Sequence, residues 1–170
     1  MSTVTFELPE PADTRAFGQA LAGVLRAGDL VVLTGPLGAG KTALAQGVGA
    51  GLGVRGEVTS PTFVIARVHP PDPARGGRLP LVHVDAYRLG GVAEVDDLDL
   101  DADLADSVTL VEWGGGLVER LSDAHLEVRI SRDDDSEARW VELVPAGGDW
   151  PARIAALPFR PNRTFTARVP

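Results

Sequence analysis

Between Gly35 and Thr42 the chain reads Gly-Pro-Leu-Gly-Ala-Gly-Lys-Thr and fills every fixed position of G-x-x-x-x-G-K-[ST]. A loop of this spelling suits a polyphosphate. Its glycines let the backbone curl until successive N–H groups across Leu37, Gly38, Ala39 and Gly40 point at phosphate oxygens, and a helix that follows turns its positive end on the same charge. The Lys41 ammonium then reaches the β- and γ-phosphates, and the Thr42 hydroxyl is a ligand for Mg²⁺. The chemistry these residues imply is binding and hydrolysis of ATP.

Composition sharpens the reading, because the chain carries 15 arginines and a single lysine, and that lysine is Lys41. Arginine prevails everywhere except where a compact ammonium on a flexible stem must fit between phosphates. Hydrolysis also needs an acid near Mg²⁺ and a group that orients the attacking water. Two carboxylates stand at the ends of apolar runs: Asp85 closes LPLVHVD and Glu112 closes VTLVE. The residues alone leave open which of the two touches the metal. Thr59, Ser60, Pro61 and Thr62 follow the loop's helix, where their hydroxyls either sense the γ-phosphate or form a simple turn. His69, His83 and His125 lack metal-ligand spacing and read as structural.

The elements that must position these groups follow from periodicity. Thr3 to Leu8 alternates like an edge strand, closed by Pro9 and Pro11. Asp13 or Thr14 is a candidate cap for a helix with Phe17, Leu21, Val24 and Leu25 on one face, ended by Gly28. Leu30 to Leu33 is a continuous aliphatic run of the kind found in a strand covered on both faces, and Lys41 to Leu52 reads as a helix closing at Gly53. Thr62 to Val68 and Leu79 to Val84 predict an antiparallel pair joined by a mobile connection, HPPDPARGGR. The acidic segment Glu94 to Asp106 predicts short helical turns and Val108 to Val111 another buried strand. Leu126 to Ile130 and Trp140 to Val144 predict a second hairpin, and Ile154 to Leu157 a last helical turn. The order predicts a three-layer α/β P-loop NTPase fold with a mixed parallel/antiparallel sheet, and a nucleotide at the carboxyl end of the Leu30 to Leu33 strand.

A chain of 170 residues with 44% apolar and 24% charged residues suits one globular domain, expected over 1–158, with an arginine-containing, mobile tail over 159–170. The apolar stretches are strand-length and predict no membrane span, MSTVTFELPE does not read as a signal peptide, and the chain has no cysteine. A cytoplasmic address is the simplest expectation. The net charge of −8 argues against a chain that grips a nucleic-acid backbone unaided. Every Asp and Glu lies at or before Asp149, whereas Arg153, Arg160, Arg163 and Arg168 follow it, so the tail is the one stretch suited to an acidic partner or RNA.

The series GPLGAGKT, TSPTF, HVDAYRL and LVEWG, in this order between Leu30 and Gly114, resembles the TsaE (YjeE) family, small bacterial ATPases of the pathway that makes threonylcarbamoyladenosine in tRNA. The resemblance implies ATP hydrolysis with Mg²⁺ and association with TsaD and TsaB, with tRNA met only through that complex. It implies Thr42 and Glu112 as metal ligands, Asp85 as the acid needed for hydrolysis, Thr62 in a switch-like segment, and Trp113 beside the site. Residues near Thr14 border the adenine on the same reasoning. Gly114 stands where the family often has proline, and the acidic segment lacks the family's usual proline and paired glutamates. Two other functions fit the loop: a small-molecule P-loop kinase, disfavoured because the arginine-bearing loop lies between strands, and an ATP-dependent switch with little turnover of its own.

Overall fold

The structure, a computed structural model, describes residues 3–36, 38–58, 66–85, 105–112, 124–132 and 135–158. Along the chain these form β1 (Val4–Leu8), α1 (Pro11–Ala22), β2 (Leu30–Thr34), α2 (Lys41–Leu52), β3 (Ala66–His69), a 3-10 turn (Pro73–Arg75), β4 (Leu81–Asp85), β5 (Val108–Glu112), β6 (His125–Arg132), β7 (Arg139–Ala146) and α3 (Trp150–Ala155). The strands make one seven-stranded sheet in the order β1-β7-β6-β2-β5-β4-β3. Its centre is parallel, with β2 between β5 and β6 and β4 beyond β5, and its margins are antiparallel. This is the mixed α/β sheet that the strand pattern predicts, with β1 at the edge.

Alternation decides which side chains meet the helices. Val31 and Leu33 of β2, Leu110 of β5, and Leu126, Val128 and Ile130 of β6 join Phe17, Leu21, Leu44, Val48 and Leu52 in one core. Residues of the other phase, Leu30, Val32, Val82, Val84 and Val111, are buried as well, so the central strands are covered on both faces, as their unbroken aliphatic spelling predicts. The acidic segment 94–104 and the tail 159–170 lie outside the described residues.

Helix α1 crosses α2 at two glycines. A Cβ on Gly47 would strike the Arg15 carbonyl, and one on Gly18 would strike the Leu44 carbonyl and come within 2.9 Å of Val48 N. The bare backbones approach closely there, which draws the first turn of α1 up to the start of α2.

Both ends of α1, the β3–β4 connection and the last helix differ from expectation, the last spanning Trp150–Ala155 instead of Ile154 to Leu157 because Pro151 opens it at its first turn. Helix α1 starts at Pro11, with Glu10 as its cap residue, because proline supplies a helical φ and has no N–H to leave unpaired. Asp13 sits inside the first turn and accepts the Glu10 N–H at 2.9 Å, and Thr14 follows it. The same helix ends at Ala22 rather than running to Gly28, and the link that follows is held by side chains. Asp29 Oδ2 accepts the Arg26 N–H at 2.6 Å, and the Val24 carbonyl accepts Arg153 Nη1–H at 2.9 Å. The connection between β3 and β4 is folded, not mobile: Asp72 N–H donates to Gly53 O at 2.8 Å, Arg55 N–H to Pro70 O at 2.8 Å, and Arg75 Nη1–H to Val54 O at 3.3 Å.

At the amino end of β2, Arg153 of α3 makes a bidentate pair with Asp29, at 2.6 and 2.8 Å. Its guanidinium carbon lies 3.8 Å from the centroid of the Trp150 ring, and its Nε–H donates to Asp149 at 3.1 Å. This buried fork ties the last helix to the α1–β2 link. Among the described residues no helix is long and apolar enough to cross a membrane.

Two stability measurements check these contacts. Asp29→Asn removes the buried carboxylate of the fork and leaves Arg153 only the more exposed Asp149, and it is expected to cost about 3 kcal/mol in urea denaturation, near the lower end for breaking a buried pair. His69 is 5% exposed, and burial, with His83 and then Arg67 adding to it, pulls its pKa below the ordinary 6.5. The unfolded chain therefore binds a proton there before the folded one does, so this contribution to stability is complete above pH 6.5 and is lost as pH falls from 6.5 through the folded value. The urea midpoint is expected to fall between about pH 7.5 and about pH 5.5, and to fall less in His69→Gln.

Candidate active site

The site is built where β2, β4, β5 and β6 all point. Parallel pairing places Asp85 beside Glu112, Glu112 beside Leu33, and Leu33 beside Val128, so four strands bring one row of residues to the carboxyl edge. Neighbouring strands lie about 4.8 Å apart. The two carboxylates are therefore adjacent on one side of β2, just before that strand opens into the Gly35–Thr42 loop.

The loop's own geometry follows from its glycines. A Cβ on Gly35 would collide with the Ile130 carbonyl and lie 2.8 Å from its Cγ2, so the loop leaves β2 pressed against β6. Gly38 and Gly40 have φ of +80° and +108°, which a residue with a Cβ seldom adopts, and among the described residues nothing stands within 4 Å of Gly38 on its Cβ side. Ala39 N–H donates to Pro36 O at 3.1 Å, and the Ala39 methyl is buried in the core. Lys41 folds back so that its Nζ donates to Gly35 O at 2.7 Å, which holds the ammonium over the loop. Helix α2 starts at Lys41, so the amides of Lys41, Thr42 and Ala43 have no acceptor within the helix, and Thr42 is exposed.

The carboxylates differ. Glu112 is 8% exposed, and its Oε1 has no hydrogen-bond partner among the described residues. His83 Nε2 lies 3.3 Å from that oxygen without the alignment of a hydrogen bond. One of the histidines expected to be purely structural thus abuts a candidate acid, a proximity that the i, i+2 spacing of His83 and Asp85 on one strand face does not reveal without the β4–β5 register. Asp85 is half-buried. The donor set of a threonine hydroxyl and strand-end carboxylates consists of hard oxygens, and a buried carboxylate oxygen lacking a hydrogen bond calls for a cation, so these residues fit Mg²⁺.

Thr14 reaches the site from α1. It is 1% exposed, its Oγ1 has no hydrogen-bond partner among the described residues, and its methyl lies 3.5 Å from where a Cβ on Gly40 would stand. Leu37, Thr62 and Trp113 lie outside the described residues, as do Thr59, Ser60 and Pro61. One residue that sequence reasoning missed is Arg139, whose Nε–H donates to the Ala39 carbonyl at 2.8 Å. No motif contains it. Two clefts occur among the described residues, of about 270 Å³ beside Arg15, Gln46 and Arg75, and of about 370 Å³ beside Arg26, Arg78 and Arg153. Neither is lined by the loop.

A family model described as threonylcarbamoyl adenosine biosynthesis protein TsaE matches residues 8–141. A Streptomyces coelicolor protein named tRNA threonylcarbamoyladenosine biosynthesis protein TsaE is 59% identical over 140 residues, covering 80% of this chain and 93% of its own. Bacillus subtilis has a protein of the same name that is 36% identical over 138 residues, covering 81% of this chain and 83% of its own. Among solved structures, Bacillus subtilis YdiB superposes with a TM-score of 0.71 at 28% identity, covering 92% of this chain and 94% of YdiB. The fold is thereby that of an α/β P-loop NTPase.

The tight wall behind the loop sets an expectation for two glycines. Gly35→Ala overpacks the Ile130 contact and is expected to cost about 1–3 kcal/mol in urea unfolding. Gly38→Ala meets open space and is expected to cost only the strain of a left-handed residue, about 1 kcal/mol. Equal losses would mean that β6 does not brace the loop.

Proposed function

The chain belongs to the TsaE family of tRNA threonylcarbamoyladenosine biosynthesis, and on that premise we propose that it is a Mg²⁺-dependent ATPase supporting TsaB- and TsaD-like partners in that modification. The observation that carries this reading is the shared edge: a loop with left-handed glycines at 38 and 40 and helix-start amides, flanked in register by two carboxylates.

Each residue then has a task set by its chemistry. The amides at the start of α2, together with the Gly40 amide, bind the phosphate oxygens, and the Lys41 ammonium, already poised above the loop, exchanges the Gly35 carbonyl for the β- and γ-phosphates. Thr42 and Glu112 would hold Mg²⁺, which when bound would offset the negative charge of the phosphates. Asp85, one strand further from the loop, accepts a hydrogen bond from the attacking water and orients it toward the γ-phosphate. Thr62 and Trp113 lie outside the described residues, and their parts in the chemistry are those the family resemblance implies.

Hydrolysis is expected to be slow alone and faster with the partners, because Thr42 at the head of α2 is exposed and a partner that covered it would exclude water. The contact with tRNA is made through the complex, in keeping with the chain's net charge of −8. Phosphate release from ATP with Mg²⁺, with and without TsaB- and TsaD-like proteins, is the deciding assay. Lys41→Arg is expected to fold as the parent and to lose turnover about tenfold or more, since a planar fork does not replace a compact ammonium between phosphates. Asp85→Ala is expected to keep nucleotide binding and lose hydrolysis. Transfer of phosphate to a metabolite, or undiminished hydrolysis in Lys41→Arg, contradicts the proposal.

A further inference from the structure

Arg139 opens β7, a hundred positions after the loop it touches, and is 8% exposed. Its Nε–H donates to the Ala39 carbonyl at 2.8 Å and its Nη1–H to the Glu137 carbonyl at 2.8 Å. The first bond reaches the middle of the phosphate loop, and the second anchors the same guanidinium to the backbone of the turn that leads into β7. Pairing of Arg139 with Leu8 of β1 and with Arg132 of β6 fixes where the side chain starts.

A trans peptide is planar, so its carbonyl and the next residue's N–H point in opposite directions. Holding the Ala39 carbonyl toward β7 therefore aims the Gly40 N–H away from β7. Arg139 Nε lies 3.7 Å from where a Cβ on Gly40 would stand, so the guanidinium backs the very residue whose amide it orients. Charge adds to the geometry. Among the described residues the hydrogen-bond acceptors of Arg139 are two backbone carbonyls and no carboxylate, so none of those residues neutralises this buried positive charge beneath the loop. Burying an unpaired charge is costly, and a polyphosphate in the cradle is an anion that would relieve that cost.

We propose that Arg139 is a positioning residue of the nucleotide site, gripping the Ala39–Gly40 peptide so that the Gly40 amide faces the phosphates and placing a second cation behind them. The inference rests on the phosphate-site reading above. It makes the β6–β7 hairpin part of the nucleotide site rather than only the sheet's margin, although no hairpin residue belongs to the loop motif.

The test measures ADP affinity by calorimetry and follows the Gly40 amide by ¹H–¹⁵N spectroscopy during ADP titration, in the full chain, with Arg139→Leu and Arg139→Lys. Loss of the grip is expected to weaken ADP binding about tenfold or more in Arg139→Leu and to abolish the ADP-induced shift of the Gly40 amide. Arg139→Lys, which keeps the charge but lacks the fork, is expected to recover part of the affinity and little of the amide shift. Arg139→Lys decides alone if Arg139→Leu does not fold. ADP affinity within about twofold of the parent, or an unchanged Gly40 shift, in a folded variant overturns this inference while leaving the phosphate site intact. A parent chain that binds no ADP overturns both.

Discussion

The site depends on how the loop between β2 and α2 disposes of its carbonyl groups. A backbone that is to offer N–H groups to an anion must satisfy its C=O groups on the other side, or their partial charges repel the ligand. Four are satisfied from within the chain: Gly35 O by Lys41 Nζ, Pro36 O by Ala39 N–H, Ala39 O by Arg139 Nε–H, and Gly40 O by Leu44 N–H. Two of those donors are side chains that carry positive charge. The same contacts that orient the backbone therefore also raise the local potential, in a chain that is acidic as a whole.

The sheet makes that arrangement possible. Parallel pairing of β4, β5, β2 and β6 brings their carboxyl ends to one edge, so the loop and the two acids converge without any connection running between them. The antiparallel ribbon of β6 and β7 then serves as the loop's rear wall, through the Ile130 carbonyl and the Arg139 guanidinium. On the helix side, the glycine crossing of α1 and α2 draws Thr14 against Gly40. Three separate stretches of chain thus pack against one short loop, and each limits the direction in which it can move.

The opposite end of β2 is organised for cohesion instead of chemistry. There the Arg153–Asp29 fork, with Trp150 stacked on the guanidinium and Asp149 accepting from Nε, joins α3 to the strand that carries the loop. Charged side chains therefore stand at both ends of one buried strand: a closed ion pair at its amino end, and at its carboxyl end two cations bound to backbone carbonyls of the loop. Membership of the TsaE family accords with this layout, since YdiB shares the fold over nearly its whole length.

Features whose causes lie within a few consecutive residues were legible in the chain itself. The loop's glycines, the helix from Lys41 to its left-handed cap at Gly53, the buried spelling of β2 and the strand-end acids Asp85 and Glu112 each depend on local conformation and read correctly. Boundaries set by competition among neighbours were misread: α1 begins at Pro11 and stops at Ala22, and the 70–80 connection folds because distant carbonyls and amides meet it. Only the tertiary structure decided that Glu112 lies beside Leu33 and near His83, and that Arg139 grips Ala39. Those contacts follow from strand order and register, which arise from the packing of the whole sheet, so no short run of residues can spell them.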